Sequence, residues 1–160
     1  MTTRAGRQGN QNVSEIPLPA LFTQAKDVTL AELHRRLDEE GFEGIRYSHG
    51  AVFRFIDAEG SRLTVLAGRS GLSKQALGEV VTELERHGYV ERAPDPVDHR
   101  AKIIRLTERG KKAQVAATRI LEDIEQRWAQ HLGRDRIGGM RIVLEEVVRF
   151  EKARQGPSRC

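Results

Sequence analysis

The sequence predicts a mainly α-helical chain with one small β-hairpin past its midpoint. Three observations point there. Apolar residues recur at three- and four-residue spacing in six separate stretches, the period of a helix with one buried face. That period breaks once, between Tyr89 and Leu106, around a Pro94-Asp95-Pro96 run that excludes helix. Gly41, Gly88 and Gly133 stand where periodic stretches stop.

Residues 1–16 are polar and read as a disordered arm. Pro17 and Pro19 open a long helix carrying Leu21, Phe22, Ala25, Val28, Leu33 and Leu37, and Gly41 stops it. Ser48 is expected to cap a second helix with Val52, Phe53 and Ile56. A short third helix turns Leu63, Leu66 and Ala67 inward, Gly68 to Gly71 form a turn, and Leu72 plugs that turn into the core. Ser73 caps a fourth helix whose Ala76, Leu77, Val80, Val81 and Leu84 make one face. Tyr89–Ala93 and Ala101–Leu106 then read as the two strands of a hairpin, with residues 94–100 as its turn. Thr107 caps a fifth helix bearing Ala113, Ala117, Ile120, Leu121, Ile124, Trp128 and Leu132. Gly133 breaks it, and a sixth helix carries Ile137, Met140, Leu144, Val147 and Val148 before a loose tail at 155–160.

Composition narrows the function classes. With 160 residues, 38% hydrophobic and 31% charged, the chain is too apolar for a disordered polymer and sized for one compact domain. No apolar run spans a bilayer and residues 1–15 lack a signal-peptide core, so a soluble, cytoplasmic protein with no membrane partner is expected. Cys160 is the only cysteine, which excludes an intrachain disulfide and a thiolate metal cluster. The five histidines are scattered, without a pair at helical spacing, so no metal site is expected. The net charge of +4 lies entirely between Ser61 and Lys112, where eleven cations face seven anions. A polyanion is the natural partner for that segment.

Helix, glycine turn, helix and hairpin together make a winged helix-turn-helix. The fourth helix, over residues 73–87, buries one face and presents Ser73, Lys74, Gln75, Gly78, Glu79 and Thr82 on the other. A major groove about 12 Å wide admits such a helix. There Gln75 can pair with adenine, Lys74 can reach guanine or phosphate, and Glu79 can accept from cytosine. Gly78 lowers helix stability by about 1 kcal/mol against alanine, which fits a place where close approach helps.

These features carry a family resemblance. Leu72-Ser73-Lys74-Gln75-Ala76-Leu77, Leu84 to Arg92, Asp95-Pro96-Val97-Asp98-His99-Arg100-Ala101-Lys102 and Leu106-Thr107-Glu108-Arg109-Gly110 resemble the recognition helix, wing and following helix of MarR-family transcriptional regulators. The resemblance covers residues 18 to 150 and departs from the family pattern at Val97 and Glu79, where arginine or another polar group often stands. It implies a DNA-binding lobe at 48–107 and dimerisation helices at 18–41 and 108–153. It also implies a wing, 94–101, whose Arg100 reaches the minor groove while Asp98 helps to hold it, with Lys102 alongside. A homodimer would place two recognition helices about 34 Å apart on a pseudo-palindromic operator. Family members often release DNA when a small aromatic or phenolic anion binds between the lobes. His34, Phe42, Arg46, His49, Phe53 and Trp128 could line such a cleft here, and no other cofactor is implied.

Two other function classes compare less well with the sequence. A winged-helix protein–protein adaptor without specific DNA binding is favoured by Glu79, Glu83 and Glu85 and opposed by Asp98 and Arg100. An enzyme is rejected, since residues 68–74 lack the spacing and preceding strand of a phosphate loop and no nucleophile–base–acid set is evident. Sequence-specific DNA binding by a repressor is the reading carried forward.

Overall fold

The computed structural model of the protein describes residues 16–155. Six helices and a small sheet follow in the order α1 (Leu18–Glu39), α2 (Gly50–Phe55), β1 (Ser61–Arg62), α3 (Leu63–Ser70), α4 (Lys74–Arg86), β2 (Val90–Pro94), β3 (Lys102–Leu106), α5 (Glu108–Leu132) and α6 (Arg134–Gln155). The hairpin of the sequence reading is thus part of a three-stranded antiparallel sheet, ordered β1-β3-β2. Ser61 lies opposite Ile104 and Arg62 opposite Ile103, while β2 pairs β3 from Val90–Leu106 to Pro94–Lys102.

Local chemistry accounts for most boundaries. The Ser73 hydroxyl accepts the Ala76 N–H at 3.1 Å and Thr107 accepts that of Gly110 at 3.1 Å, so both expected N-caps are in place. Gly71 ends α3 at φ +73°, a left-handed conformation that any side chain would strain. Helix α3 therefore runs through Gly68, where the sequence reading placed a turn. Ser48 does not cap α2 either. It sits inside a single 3-10 turn, Tyr47–His49, that leads into α2.

Two buried clusters make the core. The larger, within the winged lobe, contains Val52, Leu66, Leu77, Val81, Leu84, Tyr89, Val90, Ile104 and Ala113. The smaller joins α1 to α5 through Leu33, Leu37, Ala116, Ile120 and Ile124, with Trp128 packed beside it. Phe42 and Ile45 pack against both clusters and so fasten the two lobes together. Arg109 reinforces that joint, donating to the Gly41 carbonyl at 2.8 Å and lying over the Tyr89 ring at 4.8 Å. The apolar stripe of α1 is buried only in its second half, whereas Phe22 and Val28 are exposed. Helix α6 buries Ile137 and leaves Met140, Ile142, Val143, Val147, Val148 and Phe150 exposed. No described helix is long and apolar enough to cross a membrane. The expected arm at 1–16 lies, apart from Ile16, outside the described residues, and so do 156–160 with Cys160, whereas Gln155 is the last residue of α6 rather than tail.

Candidate nucleic-acid interface and adjoining cleft

Helix α4 is strongly amphipathic. Leu77, Val81 and Leu84 are fully buried, and the opposite face presents Ser73, Lys74, Gln75, Glu79 and Thr82, all exposed, with Gly78 half-buried. A shallow depression on this outer face is lined by Gln75, Gly78, Glu79, Thr82, Glu83 and Arg86. The residues expected to read DNA are therefore brought together on one surface. Thr82 is the least free of them, because its hydroxyl donates to the Gly78 carbonyl at 2.9 Å and accepts from Arg92 at 3.2 Å.

The wing stands beside this face and is tied to it by Arg92, which also ion-pairs with Glu85. Its turn is organised by Asp95, which sequence reading did not single out. One carboxylate oxygen of Asp95 accepts the backbone N–H groups of Val97 at 2.8 Å and Asp98 at 3.2 Å. The other accepts from Arg62 Nε at 2.6 Å. These backbone donors, and then the Arg62 guanidinium, hold the Asp95 carboxyl below the usual carboxylate range. Asp98 takes a different part from the one expected. Its carboxylate accepts the Arg100 backbone N–H at 3.2 Å and lies 3.9 Å from Arg62, so it shapes the turn and does not grip the Arg100 guanidinium. Val97, His99, Arg100 and Lys102 project from the wing, with Val97 90% exposed.

Charge on α4 is better balanced than its sequence indicates. Glu83 lies 3.0 Å from His49 Nε2, 3.3 Å from Arg46 and 3.8 Å from Arg86, while Glu85 is held by Arg92. The bond to His49, followed by the neighbouring arginines, keeps the Glu83 carboxyl below its ordinary value. Lys74, Arg100 and Lys102 hold no ion pair among the described residues.

A cleft of about 820 Å³ opens between α1, the 47–49 turn, α2 and α5. Its size suits a drug-sized ligand. Of the residues expected to line it, His34, Arg46 and Phe53 do. Phe42, His49 and Trp128 do not. Phe42 bridges the two core clusters, and Trp128 packs on the α1–α5 cluster. His49 is fully buried, its Nδ1 accepting the Arg46 N–H at 3.0 Å, so its ring proton sits on Nε2 and goes to Glu83. Leu72, expected in the core, is 38% exposed and lines the cleft instead. Arg54 and Gln114, which sequence reading missed, line it too. Burial lowers the His34 pKa, so that ring is neutral at neutral pH and the charge of the lining comes from Arg46 and Arg54.

Comparison with known proteins fits this geometry. Residues 43–101, from the 47–49 turn through the wing, match the model of the MarR family. Over this segment the chain is similar to the MarR family. The members of that family are transcription regulators. Over 75 residues the chain is 36% identical to the uncharacterized HTH-type transcriptional regulator YdcH of Bacillus subtilis (strain 168). That stretch is 46% of this chain and 51% of YdcH, so the match spans about half the length of the curated relative. The MarR fold extends further. CouR bound to a 23-mer DNA duplex aligns with a TM-score of 0.66 at 21% identity, over 82% of this chain and 92% of CouR. CouR from Rhodococcus jostii RHA1 bound to p-coumaroyl-CoA aligns at 0.62 and 24%, over 89% and 94%. At such identities the likeness is one of fold.

Proposed function

We propose that the chain is a sequence-specific, DNA-binding transcriptional regulator, a repressor acting in the cytoplasm as a homodimer on a pseudo-palindromic operator. Helix α4 enters the major groove with Ser73, Lys74, Gln75, Gly78, Glu79 and Thr82, and the wing reaches the minor groove with Arg100, flanked by Asp98 and Lys102. One observation carries this reading. Of the acidic residues that favoured an adaptor, Glu83 and Glu85 are occupied by partners within the chain and Glu79 is not, while Lys74, Arg100 and Lys102 are exposed and hold no ion pair among the described residues. A surface with three spare cations and most of its anions engaged suits a polyphosphate. The DNA-bound structure of CouR, a protein of the same fold, supports it.

The cleft gives this regulator a place for a small aromatic or phenolic ligand that releases DNA by favouring a form less suited to binding. No other cofactor is invoked. The p-coumaroyl-CoA-bound structure of CouR, a protein of the same fold, supports this reading.

The test is binding of the full chain to duplex DNA flanking its own gene, titrated across salt against unrelated competitor. Saturable, competitor-resistant binding is expected, with affinity falling steeply with salt, a slope of about −0.9 for each neutralised phosphate. Arg100→Ala is expected to weaken it while leaving the protein folded. Weak, salt-insensitive binding equal for every duplex would overturn the reading.

A further inference from the structure

One carboxylate on the groove-facing side of α4 is left without a partner. Glu83 is held by His49 and Arg46, and Glu85 by Arg92. Glu79 is exposed and makes no hydrogen bond or ion pair among the described residues. It lines the depression on the outer face of α4 together with Gln75, Gly78 and Thr82. A bare carboxylate there faces the phosphates of any duplex that α4 enters and is repelled by them. It lowers affinity for every duplex unless a base offers it a hydrogen-bond donor.

Only one base does so without a competing acceptor. On its own major-groove edge cytosine presents the N4 amino donor alone. Adenine sets N7 beside its amino group, guanine presents two acceptors, and thymine an acceptor and a methyl group. The neighbours of Glu79 fix where that cytosine lies. Gln75 stands one turn earlier on the same face, about 6 Å along the axis. That distance is close to two base-pair steps of about 3.4 Å. Between the two readers Gly78 adds no side chain, and a Cβ there would meet only Leu63, at 3.9 Å. Packing leaves that position open, and the bare backbone lets α4 seat deeply enough for a side chain as short as glutamate to reach a base edge. The Thr82 hydroxyl is engaged by the Gly78 carbonyl and Arg92, so it adds no second polar reader beside Glu79.

We propose that Glu79 sets the operator specificity of this helix, selecting a cytosine about two base pairs from the adenine read by Gln75. The proposal rests on the reading of the chain as a DNA-binding regulator. Selection works chiefly by rejection. Opposite guanine or thymine the carboxylate meets an acceptor and stays unpaired, and the phosphate repulsion goes uncompensated. Affinity and selectivity therefore move in opposite directions when the charge is removed. A residue that merely supported the helix would not change the base chosen at a single position.

The experiment offers the full chain, Glu79→Gln and Glu79→Ala a duplex library with a randomised core, and the bound fraction is sequenced. The parent is expected to enrich half-sites with cytosine about two base pairs from an adenine. Glu79→Gln is expected to change that one position to adenine, because a carboxamide pairs with adenine N6 and N7, and to leave the others as they were. Glu79→Ala is expected to lose the preference there. Fluorescence anisotropy then compares the selected duplex with one carrying thymine for that cytosine. The exchange is expected to weaken the parent about tenfold and Glu79→Ala less than about twofold. Both variants are expected to bind an unrelated duplex about threefold tighter than the parent. Their thermal melts should match the parent's, since Glu79 holds no contact to lose. A parent motif without that cytosine overturns the proposal, and so does the same motif from all three proteins. In either case the regulator reading stands. If the parent enriches no sequence at all, both fall together.

Discussion

At the residue scale, the wing depends on a carboxylate that is not itself an expected DNA contact. Asp95 is nearly buried, with a side chain 8% exposed, and it gathers two backbone N–H groups and one guanidinium. Its pKa is depressed in the fold, so its contribution is present above the unfolded carboxylate value, about 3.9, and is lost as pH falls through the folded one. Asp95→Asn is therefore expected to be less stable than the parent at pH 7. The gap should begin to close below about pH 4, where the unfolded chain's carboxylate protonates, and be gone once the folded one has protonated too. Urea midpoints for both proteins from neutral to acid pH would measure this, and a gap that stayed constant would remove charge from the account. The other depressed carboxylates, such as Glu83 and Asp57, are common to both proteins and cancel. Sequence reading placed Asp95 in the wing but missed its role, because its guanidinium partner is Arg62, 33 positions earlier. The His49–Glu83 bond, 34 positions apart, escaped for the same reason. Residue types are visible in a sequence. Their pairing is a product of the fold.

At the element scale, what was legible is what depends on near neighbours. The six helices, the two caps at Ser73 and Thr107, and the hairpin all follow from local period and local hydrogen bonding. Strand β1 did not, since two residues carry no period and exist as a strand only because β3 lies alongside. The missed 47–49 turn has a tertiary cause as well, the anchoring of His49 to α4. Two glycines give opposite expectations. A Cβ on Gly78 would meet only Leu63, at 3.9 Å, so Gly78→Ala is expected to raise stability by about 1 kcal/mol. Its DNA affinity should fall if the bare backbone serves close approach. A Cβ on Gly110 would lie 2.0 Å from the Tyr89 carbonyl oxygen, so Gly110→Ala must push the first turn of α5 away from Tyr89, just ahead of β2. Thermal melts of the two variants are expected to move in opposite directions, and Gly110→Ala to lose several kcal/mol.

At the scale of the whole molecule, the exposed apolar residues are unevenly placed. Those of α1 (Leu18, Phe22, Val28) and of α6 (Ile142, Val143, Val147, Phe150) leave long helices half covered. The sequence period was right about these helices, and one chain alone does not bury all that the period marks. We expect sedimentation of the parent protein to report a dimer, and Val143→Lys with Val147→Lys to sediment as a folded monomer with much weaker operator binding. A monomeric parent would refute the proposed assembly. The ion pairs that join α1 to α5 carry a further consequence, for how the molecule comes to be folded. Arg36 meets Asp123 across 87 residues and Glu40 meets Arg119 across 79, whereas α3, α4 and the hairpin find their partners close by in the chain. Closing the long loop costs entropy that short-range contacts do not. During synthesis α1 leaves the ribosome well before α5 and cannot form its α1–α5 contacts until most of α5 has followed. The winged lobe is thus expected to consolidate early, with α1 as the last piece to settle, its Leu33 and Leu37 open to chaperones in the interval.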